Sequence, residues 1–263
     1  MPVFTAKSNT KIVLAAIVFA ALFFGGNQII GFYPAETAPI IFANYLTTAL
    51  GAFIGIYGAI KIGLKNFIGK GVFLLGCASL FSFIGYVLWD WADFVMEQEL
   101  PYPSIADFSW SISVSLAIIG ILFLLRVYQP QVKFRYFLEA AGVFALMSAV
   151  IIYIVGWPDL SEATFSTGFF DIFYTLSDSL WIAIGVITLR IAGGKIFPGL
   201  LAYTISMFVM VIGDVLFAIR VANETFYYGD IADLFLLFAW LLAALGIYLT
   251  VQTFSNGQSK LNA

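Results

Sequence analysis

Apolar residues dominate eight long stretches with almost no charge: roughly Ile12–Gly31, Ile40–Ile60, Gly71–Trp91, Phe108–Leu125, Tyr136–Trp157, Phe170–Leu189, Phe197–Ile219 and Ile231–Val251. A helix crossing a bilayer needs about 20 mostly apolar residues. The pattern therefore predicts an all-α integral membrane protein with eight transmembrane helices in one membrane domain, residues 1–263. The first stretch is longer than the apolar core of a cleaved export signal and no clean small-x-small site follows it, so it is expected to remain a helix. No connection is domain-sized. The longest lie near Trp91–Asp107 and Pro158–Phe170, and the turns on the opposite side are short and basic.

The helices pair into four hairpins of the same orientation. Each returning helix opens on a small residue followed by a polar one: Ala43-Asn44, Ala106-Asp107, Ser177-Asp178 and Ala232-Asp233, at intervals of 63, 71 and 55 residues. Gly26-Asn27, Gly85-Tyr86 and Gly213-Asp214 form a weaker echo on the outgoing helices. Such spacing suggests an internal repeat of parallel units grouped around a shared axis, unlike the inverted repeats of many transporters.

Composition narrows the class further. Of 263 residues, 62% are hydrophobic and 10% charged, against about 45–50% and about 25% in a soluble domain. A soluble enzyme and a disordered chain are excluded, and the net charge of −3 with no basic tract excludes a nucleic-acid partner. The single cysteine, Cys77, excludes an intrachain disulfide.

The charges are sorted by side. Lys7, Lys11, Lys61, Lys65, Lys70, Arg126, Lys133, Arg135, Arg190, Lys195 and Lys260 fall on one side, and Arg220 alone falls on the other. The excess of cations marks the cytoplasmic side, so both termini are expected there, in a multi-pass protein of the cell membrane. Acids sort oppositely: Glu139 is on the cytoplasmic side, and the other 14 are outside or in the outer halves of helices. Acids contribute little to topology, so this second sorting needs another explanation.

Two acids are deep. Asp178 lies 12 residues before Arg190, about 18 Å above the inner helix end at 1.5 Å per residue. Asp214 is six residues before Arg220, about 9 Å below the outer end. A charged carboxylate at that depth costs at least about 2.5–3.5 kcal/mol, so both should face the bundle interior. Asn27, Gln28 and Asn44 lie at comparable depth, and Asp107 and Asp233 mark the rim, where capping of helix starts also accounts for them. Trp181 and Trp240 are too deep for an interfacial belt and are candidates for the wall of the pocket, with plain packing as the alternative. Arg220, the lone outer cation, would pair with Asp214 or a loop acid. Together these residues predict an acidic, outward-facing polar pocket, with Asp178 and Asp214 as neutral or hydrogen-bonded structural links between helices as the alternative.

Absent histidine, neither a His-ligated metal or haem nor a Ser-His protease is available. No lysine lies inside a helix to form a Schiff base, and no cofactor is expected. Carboxylates, hydroxyls and Arg220 are the groups left for chemistry. Val211-Ile212-Gly213-Asp214 is similar to the G-x-G-D of intramembrane aspartyl proteases, with Val211 in place of the first glycine. Gly-Asp and Ser-Asp-Ser pieces also occur in eight-helix lysoplasmalogenase-like proteins, but here Ser177-Asp178-Ser179 precedes Gly213-Asp214, the reverse order.

A broader resemblance covers about residues 72–252. Tyr102-Pro103-Ser104-Ile105-Ala106-Asp107, followed by an apolar helix ending at Arg126, looks like the "PSxAD" segment of a multi-helix membrane sensor module. In bacteria and archaea that module often precedes PAS, GGDEF or histidine-kinase domains. Tyr174-Thr175-Leu176-Ser177-Asp178 is similar to its "YPxGD" segment, with Thr175 in place of proline. Gly213-Asp214, Tyr228-Gly229-Asp230 and Ala232-Asp233 resemble its last hairpin. The resemblance implies a membrane-embedded input function. Gln252–Ala263 leaves no room for an output domain after the last helix, so a signal is expected to pass through a separate partner. The leading expectation is thus a sensor or ligand-binding module for a small cationic or amphipathic molecule. A carboxylate-dependent lipid or peptide hydrolase is the alternative, and a cation- or proton-coupled transporter ranks third.

Overall fold

A computed structural model describes residues 38–96, 101–127, 133–155, 165–191 and 197–258. Among them are seven α-helices: α1 (Ala38–Ile62), α2 (Phe67–Asp90), α3 (Ile105–Leu125), α4 (Phe134–Val155), α5 (Phe165–Ile191), α6 (Phe197–Ala222) and α7 (Ile231–Gln258). A π-helical turn, Trp91–Val95, continues α2. Each of the seven contains a segment long and apolar enough to cross a membrane. The stretch at 12–31 and the candidate Asn27 lie outside the described residues.

Helix ends sit where polar caps place them rather than where the apolar runs begin. Asn66 accepts a 2.7 Å bond from Gly69 N and starts α2 at Phe67, four residues ahead of the apolar reading. Just before it, Gly63 adopts φ +96°, a left-handed conformation that ends α1. Ser104 and Asp107 form a reciprocal capping box, so α3 begins at Ile105 instead of Phe108.

Glycines set the helix registers. A Cβ on Gly55 would come within 2.5 Å of Gly76 Cα, so the α1 and α2 backbones touch there. Gly71 meets Gly120 across α2 and α3, and Gly199 meets Gly246 across α6 and α7. Small residues let helices approach closely where the surrounding lipid supplies no hydrophobic drive. Gly51 against Ala244 and Gly58 against Val251 show α1 and α7 running parallel, whereas sequential neighbours run antiparallel. Packing follows the order α3, α2, α1, α7, α6, α5, and α5 returns to touch α3, so six helices close a ring. The fourth helix packs outside it, against α5 and α6.

The charge sorting is preserved in three dimensions. Alternating helices bring Lys61, Lys65, Lys70, Arg126, Lys133, Arg135 and Arg190 to one end, termed the basic end. Glu139 sits there with Arg190, at 3.0 Å. The other described acids, with Arg220, occupy the opposite, acidic end or its half of the bundle.

Candidate functional site

The glycine contacts bring residues distant in sequence to one level. Antiparallel contacts of Gly51 with Ser79 and Gly55 with Gly76 put Asn44 on α1 level with Tyr86 on α2. Gly213 packs on Leu236, so Asp214 stands beside the second turn of α7. Gly185 packs on Phe208 and Thr204, a register that extends to Asp178 opposite Gly213 and Asp214. Asn44, Tyr86, Asp178 and Asp214 therefore form one layer, each from a different helix. Asp178 lies 13 residues from either end of α5, about 20 Å each way, at the middle of the helix.

Electrostatics links the layer's members. Asp178 and Asp214 lie within electrostatic range of each other, and the Tyr86 hydroxyl lies within range of Asp233, Asp214 and Asp90. The Trp240 indole N–H is directed at that hydroxyl. Asp90 accepts a 2.7 Å bond from the Tyr45 hydroxyl, which ties α1 to α2 just above the layer. Asp178 and Asp214 are both half-buried.

A second tier closes over the first at the acidic end. Asp107 Oδ2 accepts from Ser104 N at 2.7 Å, and the Tyr174 hydroxyl donates to Asp107 at 3.3 Å. Asp233 Oδ2 accepts from Gly229 N at 2.7 Å. Arg220 Nε pairs with Asp230 at 3.2 Å, with Asp230 only 1% exposed. Trp89 Nε1 donates to the Tyr228 hydroxyl at 3.0 Å, which donates to Asp93 at 2.7 Å. Burial pushes the Tyr228 phenol up, and its bond to Asp93 adds to the effect. Burial likewise raises the Tyr102 phenol, which donates to Asp171 at 2.6 Å.

Of the sequence candidates, Asn44, Asp178 and Asp214 share the layer, with Trp181 one turn deeper than Asp178 and Trp240 reaching toward Tyr86. Asp107 and Asp233 belong to the tier above, where both also act as helix-start acceptors. Arg220 engages the loop acid Asp230. Asp90, Tyr45 and Tyr86, the last noted in the sequence only within the Gly85-Tyr86 echo, were not among the candidate site residues. A signal for Tyr86 was present. Gly71 and Gly85 precede Gly199 and Gly213 by 128 residues, which makes Tyr86 the counterpart of Asp214.

An open recess of about 650 Å³, lined by Ile60, Ile62, Gly63, Leu64, Lys65 and Asn66, lies at the basic end, far from every one of these acids. Its lining is mostly apolar, with Lys65 and Asn66 as the polar members. The chain matches no protein-family model, no curated protein and no solved structure.

Proposed function

We propose that this chain is a polytopic membrane sensor module that binds a small cationic or amphipathic molecule in the acidic layer. The observation that carries the reading is the meeting of Asp178 and Asp214, from separate helices, at a level where both keep accessible surface. Buried carboxylates are expensive in a bilayer, and two placed together are most readily reconciled with a cationic partner. Segregation of the cations supports a cytoplasmic basic end and a pocket facing outward from the cell membrane. The matching glycine seams of α2/α3 and α6/α7 support an internal repeat of hairpins. In this reading a separate signalling protein takes the output.

Thermal unfolding of the detergent-purified chain across a panel of amines and metal cations tests the proposal. Saturable stabilisation that disappears in Asp178→Asn and Asp214→Asn, with helix content unchanged, is expected. Full stabilisation in both variants overturns the pocket. The shared level of the two carboxylates also keeps a hydrolase reading in view, because paired acids can divide acid and base roles. Product released from membrane lipids by the wild type and lost in each single Asn variant would establish it.

A further inference from the structure

We infer that the layer holding Asp178 and Asp214 receives an organic ammonium that also carries an acceptor oxygen close to its charge. The inference rests on the reading of this layer as a ligand site and specifies what enters it. The two carboxylates supply charge, but two further groups define the shape of the demand.

The first is the Trp181 indole. It is 5% exposed and its Nε1 has no hydrogen-bond partner. Trp181 lies one turn deeper than Asp178 on the same face of α5, because residues three apart are neighbours on a helix. Val211 lies one turn deeper than Asp214, and both side chains belong to the same buried cluster. The indole therefore sits one turn below the two acids, inside the same buried cluster, with its donor unused. A buried donor without an acceptor is costly, so the occupant should bring one. The second group is Asn44, 6% exposed, whose Oδ1 likewise has no partner. It is an acceptor at the same level and calls for a donor.

The acids themselves favour an extended cation. Asp90, Asp214 and Asp233 surround Tyr86 at electrostatic range, yet no three carboxylates among the described residues converge closely enough to hold a metal ion. Tyr86, Trp181 and Trp240 add aromatic rings, whose faces attract a diffuse ammonium charge when it is desolvated. An ammonium with a neighbouring hydroxyl or ester oxygen answers all of these groups. Free ethanolamine and the phosphoethanolamine headgroup of a lipid share that chemistry.

The test is thermal unfolding of the full chain in detergent with ethanolamine, ethylamine or calcium chloride at matched ionic strength. Ethanolamine should stabilise saturably, with ethylamine about tenfold weaker for want of an acceptor to the buried indole. Asp178→Asn should abolish both effects. Trp181→Phe should reduce ethanolamine to the level of ethylamine while leaving ethylamine unchanged. That ratio is read within one variant, so it survives any general loss of stability. Repeating the measurement in nanodiscs with and without phosphatidylethanolamine assigns the source: an ethanolamine effect lost only when that lipid is present marks the headgroup as the occupant. Equal binding of the two amines, or an equal loss of both in Trp181→Phe, overturns the inference. Calcium stabilisation that depends on Asp178, with no effect of either amine, overturns it and leaves the ligand site standing. No Asp178-dependent shift with any probe overturns both.

Discussion

The hairpins α2/α3 and α6/α7 are built on the same seam and diverge where chemistry begins. Gly71 meets Gly120 in one, and Gly199 meets Gly246 in the other. One step up, Gly85 receives the Trp110 indole and Gly213 receives Leu236. The returning helices open on Ser104-Ile105-Ala106-Asp107 and Asp230-Ile231-Ala232-Asp233. Inside α2/α3 the contact is hydroxylic: Ser82 bonds Ser113 at 2.7 Å, and Ser113 also donates to Ala78 O at 2.7 Å. In α6/α7 methionines occupy comparable depths, with Ser206 donating to Ala239 O at 2.9 Å. After the upper glycine comes Tyr86 in the first hairpin and Asp214 in the second. The glycine contacts match in the two hairpins, and the residue that follows the upper glycine differs.

The largest expected effects break both seams at once. Gly199→Leu and Gly71→Leu should each destabilise the protein by about 3 kcal/mol in a detergent denaturation series, because added carbons meet backbone on the facing helix. Tolerance of one and not the other would end the equivalence of the two hairpins. Gly142→Ala on the outer helix α4 is the control. A Cβ there meets nothing within 4 Å, so no loss and a gain of up to about 1 kcal/mol from helix propensity are expected.

Smaller effects distinguish the two caps. Arg220→Met leaves Asp230 buried without its cation and should cost about 2 kcal/mol, discounted because Arg220 is itself 40% exposed. Ser104→Ala removes the neutral cap of α3 and should cost about 1 kcal/mol in the same assay. The ranking would reverse if the Arg220 pair were merely a surface contact. Ser113→Ala removes two hydrogen bonds between membrane helices and should cost about 1 kcal/mol, at an average of about 0.6 kcal/mol each.

Alkaline pH provides a further contrast at the acidic end. An unfolded tyrosine titrates near pH 10, whereas the folded Tyr228 and Tyr102 phenols hold their protons to higher pH. Above about pH 10 the unfolded state therefore binds fewer protons than the native one. The stabilisation is complete below that pH and declines as pH rises through it. Tyr228→Phe should flatten this decline in unfolding curves measured from pH 8 to about 11, over the range where the phenols titrate. An unchanged slope would remove Tyr228 from the titrating set.

The contrast between α4 and α7 marks how much of the fold could be read from hydropathy. Both spans are strongly apolar, yet 11% of the Phe134–Val155 window is buried against 56% of the Ile231–Phe254 window. In a bilayer an apolar side chain is equally at home against lipid or protein, so apolarity announces a span without announcing its neighbours. The seven described spans were legible for that reason. Their order around the ring was not, because it depends on small residues spaced along the helices and scattered through the chain. Asp178 and Asp214 were legible as interior groups, since charge at mid-membrane has few other places to go. Tyr86 was not singled out, because a tyrosine in an apolar helix carries no comparable penalty.

The sequence alone therefore determined the membrane class, the spans, the separation of cations from acids and the depth of the two central aspartates. These follow from local transfer costs that each residue carries wherever it is placed. Only the tertiary structure decided that Asn44, Tyr86, Asp178 and Asp214 share one level, that Arg220 pairs with Asp230, and that the Trp181 indole is left without an acceptor. Those outcomes depend on glycine-set registers between helices far apart in the chain, and register is a property of two surfaces in contact.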